Sequence, residues 1–269
     1  MAYPEGGEYY TAEAYYGGSG KSHYLESVVP LVLILIVGFL VALNLGFLDR
    51  VPLIEGITGE KVSNVLLVGT PSSETRSVLT SEDAKASKIN VAGPIDPENV
   101  FKQNLANYNI VLIQGNPFMP RHVRETLKEF VQKGGKLIIV QNAATQVKGS
   151  TEASDWSYVF GETVPVKCSL SPTDKPGACT TIISVQGQFF PLDQEHAIVK
   201  GISATETRGW QILNVTSTGR DIAFIRGTDN KFYNAITVQT NLVGGKVVYF
   251  NYDPGLLRGV LLNTVDWLK

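Results

Sequence analysis

Few residues of this chain have the chemistry to attack a substrate, move a proton or hold a metal. The candidates are two cysteines and three histidines: Cys168, Cys179, His23, His122 and His196. Nucleophilic catalysis needs a thiol or hydroxyl within reach of a base, and a zinc site needs about four ligands. Glu195-His196 places an acid beside an imidazole, as in a catalytic triad, but without an evident nucleophile. The sequence therefore predicts no metal site, no cofactor and no catalytic residue.

The two cysteines are separated by SLSPTDKPGA, a segment rich in turn-forming residues. Cysteines at the two ends of such a loop predict a disulfide between Cys168 and Cys179, which is typical of an oxidising, extracytoplasmic space. Two unrelated buried thiols, or half of a metal site, are the alternatives. The sequon that begins at Asn214 agrees with an outside location, although such triplets also arise by chance.

Two further motifs match known sites only in part. GGSGKS at 17–22 suggests a phosphate-binding loop, but Tyr15 occupies the position of the first required glycine. GISAT at 201–205 begins like the nucleophile elbow of serine hydrolases, but Thr205 replaces the second glycine. We therefore expect neither site.

The charge composition excludes one class of partner. A formal net charge of −2 with 18% charged residues gives no basic field to hold nucleic acid. The first 27 residues carry four glutamates against Lys21 alone, which argues against binding of anionic lipid by this head.

The longest apolar run extends over residues 28–48, which are 21 residues without a charge. As a helix it would span roughly 31 Å, close to the ~30 Å hydrocarbon core of a bilayer. A buried helix of a soluble core would carry a polar stripe, and a cleaved signal peptide would have a shorter apolar region. We predict a retained single-pass signal anchor. The charges on either side give no orientation, so the disulfide decides it: N-terminus cytoplasmic, C-terminal domain extracytoplasmic.

The rest of the chain divides around this run. Residues 1–27 are rich in Tyr and Gly and predict a disordered head. Residues 49–63 form a linker, and residues 64–269 form one domain with a cysteine-bearing hairpin insertion at 163–192. A helix is expected from Glu152 to Phe160.

The domain has the pattern of an α/β fold. NIVLIQG at 109–115 and KLIIVQ at 136–141 predict buried strands around a helix that ends at Gly134-Gly135. Such a βαβ unit implies a parallel sheet with a right-handed crossover. NVLLVG at 64–69 adds a strand, and Asp96-Pro97 predicts the start of a helix. The C-terminal half predicts four strands and a closing amphipathic helix.

These motifs carry a family resemblance. Four segments resemble the class I glutamine-amidotransferase-like superfamily: YNIVLIQG, LKEFVQKGGKLIIVQNAAT, DQEHAIVKGI and GKVVYFNYDPGLLRGVLLNTVDWL. Within it the chain looks like the non-catalytic branch, which holds trehalose-utilisation-type and GIFT-like (gliding, intraflagellar, oligosaccharyltransferase) domains. The resemblance covers most of residues 64–269 and implies a flavodoxin-like, mostly parallel sheet flanked by helices.

The resemblance also implies where a site would lie and what it lacks. Catalytic members carry a cysteine just after the strand at 136–141, whereas this chain has Asn142-Ala143-Ala144 there, so we expect no enzyme. Open sheets of this kind bind ligands at the carboxyl ends of their strands. The expected ligand-binding residues, for a glycan or peptide, are Thr70, Asn116, Asn142, His196 and Asp253. Ordinary strand-end loops are the alternative.

Three functions fit these observations. The first is a non-catalytic accessory subunit that binds other membrane or surface proteins in a larger assembly, of the exporter or glycan-transfer type. The second is a structural, self-associating cell-surface protein, and the third is an enzyme with an atypical active site.

Overall fold

A computed structural model describes residues 28–38, 62–149, 155–169, 179, 181–204 and 207–269. The chain divides into two compact units, Met1–Leu48 and Asp49–Lys269. The predicted disordered head, the GGSGKS segment, residues 39–48 of the apolar run and residues 49–61 of the linker lie outside the described residues.

The described part of the first unit is one helix. Residues 28–38 form α1, and their apolar side chains are exposed. Taking the described residues alone, no helix combines the length and the apolar character needed to cross a bilayer.

The second unit is an α/β domain. Its helices are α2 (Ser73–Leu79), α3 (Glu82–Ala86), α4 (Lys102–Leu105), α5 (Arg121–Gln132), α6 (Ser157–Phe160) and α7 (Arg258–Leu268), with 3-10 turns at Pro97–Asn99, Gly161–Thr163 and Pro254–Leu256. Its first seven strands are β1 (Ser63–Gly69), β2 (Ile89–Ile95), β3 (Ile110–Gln114), β4 (Phe118–Met119), β5 (Lys136–Val140), β6 (Gln146–Val147) and β7 (Val166–Cys168). The others are β8 (Ile182–Pro191), β9 (Thr207–Leu213), β10 (Val215–Ser217), β11 (Arg220–Gly227), β12 (Phe232–Thr240) and β13 (Lys246–Phe250).

Nine strands form one mixed sheet in the order β2-β1-β3-β5-β13-β12-β11-β8-β9. The strands from β2 to β13 are parallel to their neighbours, and the pairs from β13 to β9 are antiparallel. Counted in chain order, the five parallel strands have the order 2-1-3-4-5, which is that of flavodoxin-like sheets. The α/β class is therefore as predicted, with an antiparallel extension that the C-terminal strands supply.

Helices cover both faces of the parallel half, which buries alternate side chains of each strand on opposite sides. One core contains Leu112, Ile138 and Val248 together with residues of α2, α3 and α7. The other contains Val111, Ile139 and residues of α4, α5 and α6. All residues of both cores lie between 65 and 268, so the second unit supplies both of them.

Several predicted helices differ from the observed ones. The helix expected at Asp96-Pro97 is a single 3-10 turn, in which the Asp96 carboxylate accepts a hydrogen bond from the Glu98 amide. The helix expected from Glu152 is described only as α6, since residues 150–154 lie outside the described part. Two short helices, α2 and α3, occupy the polar stretch after β1, and serine hydroxyls cap both of them.

The predicted hairpin insertion at 163–192 is wrong in its pairing. β7 pairs with β10, not with β8, and the two form a separate two-stranded ribbon. β8 instead joins the main sheet between β11 and β9. The reason is burial: Phe189 of β8 packs into the main core beside Trp210 of β9. The predicted disulfide between Cys168 and Cys179 is confirmed, and residues 170–178 of its loop lie outside the described part.

Candidate functional site

The carboxyl ends of β1 and β3 lie side by side at the point where the strand order reverses, which is where open α/β sheets bind ligands. The Thr70 amide donates to the Gln114 carbonyl (2.9 Å), and the Thr70 hydroxyl donates to the Gly115 carbonyl (3.0 Å). Gly115 has φ of 74°, and a Cβ there would lie 2.3 Å from the Thr70 carbonyl oxygen. The two strand ends are therefore locked together by backbone contact that only glycine permits.

The turn after β5 lies against these strand ends. The Ala144 amide donates to the Asn116 carbonyl at 2.9 Å, and the Asn116 side chain accepts from the Phe118 amide at 3.0 Å. Gln141 and Ala144 have positive φ values of 50° and 58°, which are strained for residues with a side chain. Asn142, which is partly exposed, lies between them. The structure thus brings the loops of Thr70, Asn116 and Asn142 together, as predicted.

The carboxyl ends of β5 and β13 are covered by β9, which the sequence did not reveal. The Gln141 side chain donates to the Gln211 carbonyl at 2.6 Å. The buried Asn251 amide accepts from the Leu213 amide at 2.8 Å and donates to the Leu213 and Asn234 carbonyls at 2.9 and 2.8 Å. These side chains occupy the part of the strand-end cleft that lies over β5 and β13.

Asp253 lies at the same edge of the sheet but serves the fold. Its carboxylate accepts hydrogen bonds from the Thr75 hydroxyl (2.8 Å) and the Gly255 amide (3.0 Å). It thereby caps the last 3-10 turn and joins it to α2. A Cβ at Gly255 would lie 2.2 Å from the Thr75 nitrogen, so the 3-10 turn packs directly against the backbone of α2.

His196 lies away from the carboxyl-end loops, contrary to the prediction. Its ring packs against Trp267 at the end of α7, with centroids 5.2 Å apart, and Nδ1 accepts from the Ile198 amide at 3.3 Å. The Trp267 carbonyl accepts from Lys246, the first residue of β13. His196 is therefore at the amino edge of the sheet, because β8 runs antiparallel to β11 and delivers the following loop there.

Two buried polar atoms at the carboxyl edge have no hydrogen-bond partner in the described structure, the Gln114 side-chain carbonyl and the Tyr252 hydroxyl. Gln114 ends β3 at the strand-order reversal, and Tyr252 follows β13. Burial raises the pKa of Tyr252 well above its usual value, the Asp253 charge adds to this, and Arg208 opposes it. Both atoms are buried, and the Tyr252 ring packs among Phe189, Trp210 and Phe250, so they are unsatisfied groups of the interior at this edge. In the sequence, Gln114 is distinguished as the polar residue that ends the apolar run of β3.

The described residues contain no group of three or more His, Cys, Asp or Glu side chains that could hold a metal ion. Asn214 is exposed beside the ribbon, and its carbonyl accepts from the Ser169 amide at 3.1 Å. Its position is accessible, and its glycosylation stays a prediction.

A second candidate surface lies on the antiparallel half. Phe224 is directly opposite Phe190, and Arg226 is opposite Phe232, so these four side chains project from one face. The Phe224 and Phe232 rings meet edge to face at 6.4 Å, and the Arg226 guanidinium lies 6.0 Å from the Phe232 ring. Phe190 is 43% exposed and Phe232 60% exposed. We call Phe190, Phe224, Arg226 and Phe232 the aromatic patch.

Comparisons with known proteins bear on the fold. A family model described as "GLMA-like, second domain" matches residues 94–146, which contain β3, α5 and β5. No curated protein matches the chain at a significant level.

Solved structures are similar in fold. A ThuA-like protein from Bacteroides uniformis ATCC 8492 is 11% identical with a TM-score of 0.52, over 78% of this chain and 92% of that one. The β-galactosidase from Rahnella sp. R3 is 12% identical with a TM-score of 0.51, over 81% of this chain and 32% of that one. The β-galactosidase from Bacillus circulans sp. alkalophilus is also 12% identical with a TM-score of 0.51, over 79% and 32%.

The chain spans about a third of the length of these β-galactosidases. At such identities the likeness shows the fold alone. Together, the family-model match and the ThuA-like neighbour fit the trehalose-utilisation and glutamine-amidotransferase-like superfamily that the sequence motifs resemble.

Proposed function

We propose that the chain is a membrane-anchored, non-catalytic binding or interaction protein, and that it serves as an accessory subunit of a larger membrane assembly of the exporter or glycan-transfer type. The observation that carries this proposal is the aromatic patch. Exposed aromatic residues next to an arginine are the composition of binding hot spots in protein–protein interfaces.

The patch has the features of a preformed docking surface. Its rings are held by cross-strand pairing on a rigid sheet, so little conformational entropy is lost when a partner binds. The Arg226 side chain is oriented by a 2.9 Å hydrogen bond to the Asn230 side chain and by its contact with Phe232. A partner that covers the patch would bury two phenylalanine side chains that water now reaches.

The residues after β5 support a role without covalent catalysis. The position where catalytic relatives of the resembling family carry a cysteine is occupied by residues without a thiol, and the Gln141 side chain is bound to β9. The proposed place for a small glycan or peptide ligand is at the strand ends of Thr70 and Asn116, next to the buried Gln114 side-chain carbonyl, which has no hydrogen-bond partner in the described structure.

The membrane anchor is proposed from residues 28–48, and the outside location of the domain from the disulfide. A disulfide of this kind persists where thiols are not kept reduced. Both the anchor and its orientation are proposals that the sequence supports.

The test is co-purification of the full chain from its own membranes in mild detergent, with Phe232→Ser compared with Phe101→Ser. Both phenylalanines are about half exposed, and Phe101 lies outside the patch. We expect Phe232→Ser to lose co-purifying polypeptides and Phe101→Ser to keep them.

Two other outcomes would redirect the proposal. A full chain that purifies alone, with a domain that self-associates through the patch at high concentration, would favour the structural, self-associating alternative. An activity that disappears when Asp253 and His196 are replaced by alanine, in variants that circular dichroism shows to remain folded, would favour the enzyme alternative.

A further inference from the structure

We propose that the amino edge of the sheet is a second lipid contact, in which the tip of the β12–β13 hairpin, Leu242 and Val243, inserts into the bilayer interface. This inference extends the proposed membrane anchoring from residues 28–48 to the folded domain, and it rests on that proposed function.

The hairpin tip exposes two aliphatic side chains at the end of a rigid turn. Leu242 is 92% exposed and Val243 is 56% exposed. The Asn241 side chain holds the turn: it accepts from the Val243 amide (3.1 Å) and the Gly245 amide (2.6 Å) and donates to the Val131 carbonyl at the end of α5 (2.8 Å). The transfer of these aliphatic side chains from water into an apolar medium is favourable, and the fixed turn keeps them exposed for it.

The chain enters the domain at the same edge as the tip. Val62, which precedes β1, is 43% exposed, and its carbonyl accepts from the Asn109 side chain at 3.2 Å. Asn109 and Gly134 both line a cavity of about 430 Å³. The Lys136 ammonium donates to the Gly134 and Gly244 carbonyls and so connects the cavity lining to the hairpin. Chain entry, cavity and hairpin tip form one continuous surface.

The charges around this surface suit a lipid surface with anionic headgroups. Lys102 and Lys133 lie at the rim of the cavity, and both pair with Glu129, at 2.6 and 3.7 Å. The side chain of Lys133 is 75% exposed. These two ammonium groups against one carboxylate leave a local positive charge, which anionic headgroups attract.

Tethering makes such a small contact sufficient. Two aliphatic side chains and a few lysines give only weak binding to vesicles for a free domain. A domain on a membrane anchor experiences a high effective concentration of lipid, which converts a weak contact into a populated one. Because residues 49–61 lead directly to Val62, the tether of an anchored chain joins the domain at this edge.

The test uses the full chain reconstituted into vesicles of phosphatidylcholine and phosphatidylglycerol, with a polarity-sensitive maleimide dye on Leu242→Cys. The native cysteines are joined in a disulfide and do not react without reductant. The matched control is Thr228→Cys, an exposed residue at the other end of β12, about 30 Å away along the strand.

We expect a blue-shifted emission and quenching by a lipid-borne quencher at 242, and neither at 228. With the dye on Val243→Cys, the added change Leu242→Asp should abolish the shift.

The outcomes separate this inference from the proposed anchor. If the chain floats with the vesicles but the dye at 242 behaves like the dye at 228, the anchor stands and the hairpin contact is wrong. If the chain does not float, both are wrong. If the shift at 242 occurs in lipid-free micelles and grows with protein concentration, a second copy of the chain covers the tip, and the lipid contact is again overturned.

Discussion

Asn251 and Leu213 are joined by two hydrogen bonds, in which the Asn251 side chain accepts from the Leu213 amide at 2.8 Å and donates to its carbonyl at 2.9 Å. An asparagine side chain thus takes the place of a neighbouring strand for the last residue of β9. The same side chain donates to the Asn234 carbonyl and accepts from the Tyr249 hydroxyl at 3.1 Å. One buried amide therefore connects β9, β12 and β13 over the strand ends.

Replacement of Asn251 by alanine should lower the free energy of unfolding by on the order of 3 kcal/mol, because it leaves buried backbone and hydroxyl groups without partners. Urea unfolding with the disulfide intact measures this. The control is Asn90→Ala on an exposed edge strand, where we expect a change below about 0.5 kcal/mol. Equal effects of the two substitutions would show that Asn251 does not hold β9 in place.

A second prediction concerns the close approach of the first and third strands. Gly115→Ala should destabilise the domain by about 3 kcal/mol or more, since its Cβ would meet the Thr70 carbonyl as well as strain a positive φ. Gly149 has φ of 82° with nothing within 4 Å of a Cβ, so Gly149→Ala tests the backbone strain alone. We expect about 1 kcal/mol for it. A difference between the two variants near zero in thermal or urea unfolding would contradict the contact.

Hydrophobic patterning predicted the elements that bury apolar side chains on a regular period. β3, β5 and α5 were expected near their observed bounds because their buried residues recur at strand or helix spacing. α2 and α3 bury few apolar side chains, so the pattern gave no signal. The hydroxyls of Ser72 and Ser81, which cap these helices, were the local evidence available for them.

The positions of the site residues could be predicted only on strands whose direction could also be predicted. Parallel strands of one sheet end at the same edge, which placed Thr70, Asn116 and Asn142 in neighbouring loops. The position of His196 depended on the direction of β8, and that direction follows from pairing with β11 and β9 far along the chain. The closure of β9 depended on single side chains such as Asn251 and Gln141, which no periodicity reveals.

The disulfide gives a third prediction. Cys168→Ala with Cys179→Ala should lower the free energy of unfolding by about 3 kcal/mol, because the closed loop restricts the unfolded chain. The cysteines are 11 residues apart. In intact cells a bulky maleimide should label the native cysteines only after reduction. Labelling without reductant, once cells are lysed, would remove the support for an oxidising compartment and for the proposed orientation.

The last prediction concerns the pH dependence of stability through His196. Burial lowers the pKa of His196, the Arg220 and Lys246 charges lower it further, and Asp193 opposes them. At pH values between the lowered folded pKa and the unfolded pKa of 6.5, the unfolded chain binds a proton at His196 and the folded domain does not. Stability from this residue is fully present above pH 6.5 and is lost as the pH falls through the lowered folded pKa.

His196→Asn should remove this component, because asparagine keeps an acceptor for the Ile198 amide and does not titrate. The measurement is the free energy of unfolding in urea at a series of pH values below 7. The exposed Gln194→Asn, in the same loop, changes no ionisable group and should keep the full slope. If His196→Asn and Gln194→Asn lose stability with falling pH at the same rate, burial and the neighbouring charges do not hold the imidazole neutral in the folded domain.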